Sequence, residues 1–139
     1  MNRQKVTAAR ALLAAFLLLP TVAALAGERG QCTDGGQLAL NECARDAAAR
    51  ADRDMGRVYR ALVRAESDDP LFISKLKKAQ RAWVAFRDAE LAARFACEEA
   101  DPKMCWGSMY PMSYFSAKAE LTKERTKHLR RMLKEGQGS

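Results

Sequence analysis

One stripe of side chains constrains this chain more than any other feature. Leu40, Ala44, Ala47, Ala51, Met55, Val58 and Leu62 recur at steps of three and four, which keeps them on one face of a single α-helix. The stripe is rich in alanine, so a partner helix can approach closely there. Gly35-Gly36 precedes it and Ser67-Asp68-Asp69-Pro70 closes it. In the second break Asp69 reads as an N-cap and Pro70 as the first residue of the next helix. That helix carries Phe72, Leu76, Ala79, Trp83 and Phe86 on its apolar stripe. It is expected to run to about Ala100, where Asp101-Pro102 interrupts it. Residues 102–112, PKMCWGSMYPM, have Gly and Pro punctuation and no helical period. They read as a loop that carries many large apolar groups: Met104, Trp106, Met109, Tyr110 and Met112. A third stripe follows in Tyr114, Ala117, Leu121, Leu129 and Met132, with Gly136 as its stop. No strand-like alternation, internal repeat or low-complexity linker is present. The expected fold is all-α, a small antiparallel three-helix bundle with its middle helix antiparallel to both neighbours.

The first 26 residues read differently. Arg3, Lys5 and Arg10 stand ahead of an apolar run at residues 11–19, and Ala24-Leu25-Ala26 closes the stretch with small residues at either side of a leucine. This is the pattern of a secretory signal peptide cleaved after Ala26, and the apolar run is too short to span a bilayer. Residues 27–139 would then form one helical domain, since about 113 residues bury a single core. The whole chain has 24 basic and 17 acidic residues, a net charge of +7. Removing Arg3, Lys5 and Arg10 leaves about 21 basic residues and a charge of about +4. That excess is too small for a nucleic-acid surface. The basic residues are spread around the helices, which disfavours docking on a membrane surface.

All four cysteines, Cys32, Cys43, Cys97 and Cys105, lie in the part that would be exported. An oxidising compartment makes disulfides the natural reading. None of the spacings is the close pair of a zinc knuckle, and the single histidine, His128, is distant in sequence. No metal and no cofactor is expected.

Several segments together resemble a known family. They are an N-terminal cysteine pair, Ala51-Asp52, Tyr59, Leu62, AQRAWVAFRDAE at residues 79–90, GSMYPM at residues 107–112 and AELTKERTKHL at residues 119–129. The chain resembles the small exported proteins with a lysozyme inhibitor LprI-type N-terminal domain, over nearly all of the expected mature part. The resemblance implies a protein-binding domain whose leading partner is a lysozyme-type muramidase. The rival is a cell-envelope or stress-related interaction protein that never touches lysozyme. Members resembling this chain usually carry one cysteine directly after RDAE and another shortly before ELT. Here those positions are Leu91 and Ala117, lost together as two bonded cysteines would be. Cys97 and Cys105 instead flank the turn between the same two helices. Of the three pairings that four cysteines allow, the expected one is therefore Cys32–Cys43 with Cys97–Cys105. Cys32 precedes the glycine break, so the chain can fold back there. In one straight helix eleven residues rise about 16 Å, too far for the bond.

The polar residues of AQRAWVAFRDAE divide by phase. Gln80 and Arg87 lie three and four positions from Trp83 and border its stripe, and Glu90 continues that stripe. Asp52 edges the first helix's face, and Arg125 falls on the third helix's face, four residues from both Leu121 and Leu129. Opposite charges on facing seams suggest an interhelical polar network that fixes register. The candidate partner-binding residues are Glu98, Glu99 and Asp101 beside Trp106 and Tyr110, because aromatic side chains in a constrained loop make strong interface anchors. The competing expectation is that Trp106 and Tyr110 fold back and cap the helix ends. Both this chain and animal lysozymes are basic, so long-range attraction would not assist their encounter. Catalysis is not expected. His128 sits among Lys127, Arg130 and Arg131, and the carboxylate pairs Asp68-Asp69 and Glu98-Glu99 fall in turns and caps, which leaves no nucleophile with a base and an orienting group.

Overall fold

A computed structural model describes residues 32–137. The expected leader, residues 1–26, and the start and end of the expected mature domain lie outside the described residues. Among the described residues there are three long helices and one short one: α1 (Gln37–Ala65), α2 (Pro70–Arg94), α3 (Lys103–Trp106) and α4 (Tyr110–Glu135), with a 3₁₀ turn over Gly107–Met109 between the last two. The fold is all-α, with two disulfides, Cys32–Cys43 and Cys97–Cys105.

α1 and α4 are parallel and form the tight pair of the bundle, and α2 runs antiparallel to both and stands further off. Side-chain size explains this. Ala44, Ala48 and Ala51 of α1 and Ala117, Ala119, Thr122 and Thr126 of α4 are buried, and such short side chains let two helix axes draw together. Ala48, Ala51 and Ala119 form one cluster, with Phe115 packed at its edge. Thr126 donates its hydroxyl to the Thr122 carbonyl at 2.8 Å and Thr122 donates its own to Asp52 at 3.4 Å, so neither buried threonine leaves an unmet donor in the seam. Further along, the side chains lengthen. Met55, Val58, Leu62, Leu76 and Leu129 make the main core, bordered by Tyr59, Val63, Phe72, Trp83 and Met132.

The second helix begins as its sequence indicates: the Asp69 carboxylate accepts the Phe72 N–H at 2.8 Å, and Pro70 occupies the first turn. Its buried face differs from the expected stripe. Leu76, Arg87 and Leu91 are buried, whereas Ala79 is exposed and Phe86 is 56% exposed. The helix turns its arginine inward and its phenylalanine outward, because Arg87 has an anionic partner on α1 and Phe86 has no apolar surface to meet. α2 also ends at Arg94 and not near Ala100. Phe95 leaves the helix at φ −115°, and its ring joins aromatic side chains from the end of the bundle.

The expected loop at residues 102–112 is instead largely helical. α2 has already ended at Arg94, and Asp101-Pro102 starts a new helix as Asp69-Pro70 does. The Asp101 carboxylate accepts the Lys103 N–H at 3.0 Å, and the Trp106 N–H bonds the Pro102 carbonyl at 3.0 Å. Gly107 at φ 67° then turns the chain into α4, a left-handed conformation that favours glycine. Leu91 and Ala117 are both buried.

Two outcomes follow from this packing. Ala48→Leu or Ala119→Leu should destabilise the fold by about 1–3 kcal/mol or more in chemical denaturation, because the tight seam has no room for added methylenes. Asp69 has its carboxyl held below the usual value, chiefly by the Phe72 N–H and then by Gln137. A lowered pKa contributes stability above the ordinary carboxyl range, lost as pH falls through the native value. Asp69→Ala should therefore flatten the acid limb of the stability profile, and an unchanged limb would show that the cap is energetically silent.

Candidate functional site

Two places in the structure gather the polar and aromatic residues singled out by the sequence. The first is a ladder along the seam between α2 and the α1–α4 pair. Asp52 is at its centre: Oδ1 accepts from Arg87 Nη1 at 3.2 Å and from the Thr122 hydroxyl at 3.4 Å, and Oδ2 lies 3.2 Å from Lys118 Nζ. Arg87 also reaches Asp88 on its own helix at 2.8 Å, and its guanidinium lies over the Trp83 ring at 5.3 Å. One step along, Gln80 donates to the Met55 sulfur at 3.4 Å, and its carbonyl accepts from Arg125 Nε at 3.1 Å. Among the described residues no buried side-chain nitrogen or oxygen lacks a hydrogen-bond partner.

This arrangement departs from the expected one at two residues. Glu90 does not cross to a facing helix; its partner is Arg94, four residues along α2, at 3.4 Å. Arg125 meets a neutral amide and not a carboxylate, and burial pushes its guanidinium below the usual value. The acid facing the seam is Asp52, and Arg87 takes it. Lys118 and Thr122 were missing from the sequence reading. Thr122 lies three residues after Ala119 and four before Thr126, a run of small residues that matches the alanines of α1, so the signal for it was present. We infer that the ladder sets the register of α2 against the other two helices.

The second place is the corner at the end of α2. The Cys97–Cys105 bond closes it, with Cα atoms 5.9 Å apart. Phe95 is its hub, with ring centroids at 5.5 Å from Trp106, 5.9 Å from Tyr110 and 5.7 Å from Tyr114. Trp106 also donates its indole N–H to the Ala96 carbonyl at 3.3 Å. Burial pushes the Tyr110 phenol up, with smaller contributions from Tyr114 and Asp101. On the other side Asn41 of α1 donates to the Ser108 carbonyl at 3.1 Å and accepts the Met112 N–H at 3.2 Å. Neither Asn41 nor Phe95 stood out in the sequence, since an isolated asparagine within a helix and a phenylalanine beyond the helix end have no local pattern.

The rings of the corner are therefore packed on one side and open on the other. Trp106 is 41% exposed, Met109 50% and Met104 75%, and Glu98, Glu99 and Asp101 are exposed around them. The sequence posed capping and display as alternatives for Trp106 and Tyr110. The geometry has elements of both: Tyr110 is half-buried, while Trp106 makes an edge contact with Phe95 and stays partly exposed. No group of His, Cys, Asp and Glu able to hold a metal occurs among the described residues, and all four cysteines are in disulfides.

A family model described as Lysozyme inhibitor LprI matches residues 29–129, a span from just before Cys32 through the buried Leu129. The chain belongs to the lysozyme inhibitor LprI family. It is also 35% identical over 108 residues to a protein of Rhizobium meliloti (strain 1021) described as uncharacterized, covering 70% of this chain and 73% of that one. No solved structure matches it. The family span contains both disulfides, the ladder around Asp52 and the aromatic corner.

The two places should respond differently to substitution. Asp52→Ala should cost about 1–2 kcal/mol, reduced from a fully buried pair because the carboxylate is partly solvated, while Lys78→Gln stays within about 0.5 kcal/mol. Phe95→Ala should cost about 3 kcal/mol as the hub ring is lost, and Trp106→Ala only about 1–2 kcal/mol. Denaturant titration of the four variants checks the order. Equal losses at Trp106 and Phe95 would mean that Trp106 is a core residue and not a displayed one.

Proposed function

We propose that this protein acts outside the cytoplasm as a non-catalytic binding domain, and that its partner is a lysozyme-type muramidase which it inhibits. The observation that carries the reading is a set of large apolar side chains held partly in solvent by a disulfide-closed corner, in a chain of an inhibitor family. Side chains such as Trp106 are the usual anchors of tight interfaces, and a corner fixed by a covalent bond loses little conformational freedom when it binds. Glu98, Glu99 and Asp101 supply local negative charge beside that anchor on a chain whose total charge is positive. They favour a basic rim on the partner at short range, although the overall charges do not steer the encounter. Two disulfides fit an oxidising compartment, as does the leader read in residues 1–26.

A muramidase assay with the purified mature protein against several lysozyme classes tests this reading. Inhibition at stoichiometric amounts is expected for at least one class. Trp106→Ala should then weaken binding by about 2 kcal/mol while the protein stays folded at the assay temperature. Inactivity against every class, with wild-type protein shown to be folded and oxidised, would favour an envelope scaffold over an inhibitor.

A further inference from the structure

At the far end of the molecule from the corner, α2 and α4 leave a crevice of about 190 Å³ between them. Phe72, Leu76, Ala79 and Met132 give it an apolar lining, and Lys75, Arg125 and His128 are the other three residues around it. None of the seven is acidic. The nearest acid in sequence to Arg125 is Glu124, which pairs instead with Lys127 at 2.6 Å on the exposed side of α4. His128 is accompanied by a further cation, since Arg131 Nη2 lies 3.5 Å from its Nδ1. Arg125 is half-buried, and among the described residues its hydrogen-bond partner is the neutral carbonyl of Gln80.

A guanidinium drawn partly out of water without an anion is costly, because a neutral amide offsets only part of the lost hydration. Elsewhere in this molecule the cost is met directly: the more deeply buried Arg87 has two carboxylates, Asp52 and Asp88. Arg125 is half-buried with no carboxylate partner among the described residues, and it lines an apolar cleft with two more basic residues on its walls. We propose that this crevice is a binding site for a carboxylate attached to a short apolar group, with the carboxylate on Arg125 and Lys75 and the apolar part against Phe72, Leu76 and Met132. The planar fork of an arginine suits a carboxylate, and its Nη groups remain to donate while Nε holds Gln80. The volume suits a short chain and not a whole lipid. Two sources share this chemistry: a free fatty acid and the C-terminal carboxylate of a peptide ending in an apolar residue. The site is independent of the muramidase reading, since none of its residues belongs to the corner.

The test is a heteronuclear NMR titration of the purified, oxidised protein with sodium octanoate, octanol, N-acetyl-Ala-Leu as the free acid, and its amide. Saturable shifts at Arg125 Nε–H, the His128 ring and the Met132 methyl are expected with at least one of the two acids. Each neutral analogue should bind about tenfold or more weakly than its acid, the usual scale for losing a charge-assisted hydrogen bond. Stronger binding of octanoate points to a fatty acid, and stronger binding of the peptide acid to a chain terminus. Arg125→Met should lose about tenfold in affinity for the preferred acid. If that variant is unfolded, Lys75→Gln, on an exposed part of α2, should still weaken the acid by about threefold and leave the neutral analogue unchanged. Equal binding of acids and neutral analogues, shifts confined to other parts of the molecule, or no saturable binding by either acid would overturn the proposal.

Discussion

The close approach of α1 to α4 governs the rest of the molecule. Two parallel helices meet over part of their length at a seam of alanines and threonines, short enough for the backbones to draw together, before Met55, Val58, Leu62 and Leu129 take over. Such a seam buries little apolar area per residue, so the pair depends on continuous contact over most of its length and not on a few large anchors. It also makes the position of α2 a separate problem. Once α1 and α4 have used their small faces on each other, the surface left for α2 is wider and lined by longer groups.

α2 meets that surface by three different means along its length. Near the α1–α2 turn Leu76 enters the main core with Phe72 and Trp83 alongside. In the middle, on either side of Trp83, Arg87 reaches across to Asp52 and Gln80 links Met55 to Arg125. At the far end Leu91 is buried and Phe95 gathers three rings around it. A polar middle between two apolar ends penalises sliding, because a shift of one helical turn would part Arg87 from Asp52 and leave the buried guanidinium with only Asp88 of its own helix. The same geometry leaves an open crevice beside Arg125, since an arginine and a glutamine do not fill space as two leucines would.

The disulfides act where helix packing is weakest. Cys32–Cys43 ties the segment before α1 back onto its second turn, and Cys97–Cys105 closes the corner between α2 and α4. Neither lies in the tight seam. Each restrains a chain reversal whose own hydrogen bonds are few, which limits the unfolded ensemble and holds the corner's side chains in place. This lets a small helical core keep Trp106 and Met104 at the surface beside the corner.

Much of this was legible in the residues themselves. The stripe from Ala44 to Leu62, the Asp69-Pro70 start of α2, the Gly136 stop of α4 and the all-α class follow from local rules, because a helix face and a cap depend on neighbours within four residues. The resemblance to the LprI family rested on segments that can be quoted from the chain, and the cysteine spacing together with that resemblance gave the pairing. What local rules missed has a common cause. Phe86 and Arg87 are adjacent, and hydropathy alone sends the phenylalanine inward; only the position of Asp52 on another helix reverses them. Asp101-Pro102 is equally a stop and a start, and the disulfide and the Phe95 ring decide in favour of a new helix. Arg125 lies on an inward face by period alone, yet whether it meets a carboxylate, an amide or an open crevice depends on which part of α2 lies opposite. The sequence by itself determined the helices, their caps and their class, since those are set by contacts a few residues apart. The tertiary structure alone decided which polar groups pair and which aromatic faces stay in solvent, since those depend on distances between residues 30 to 70 positions apart.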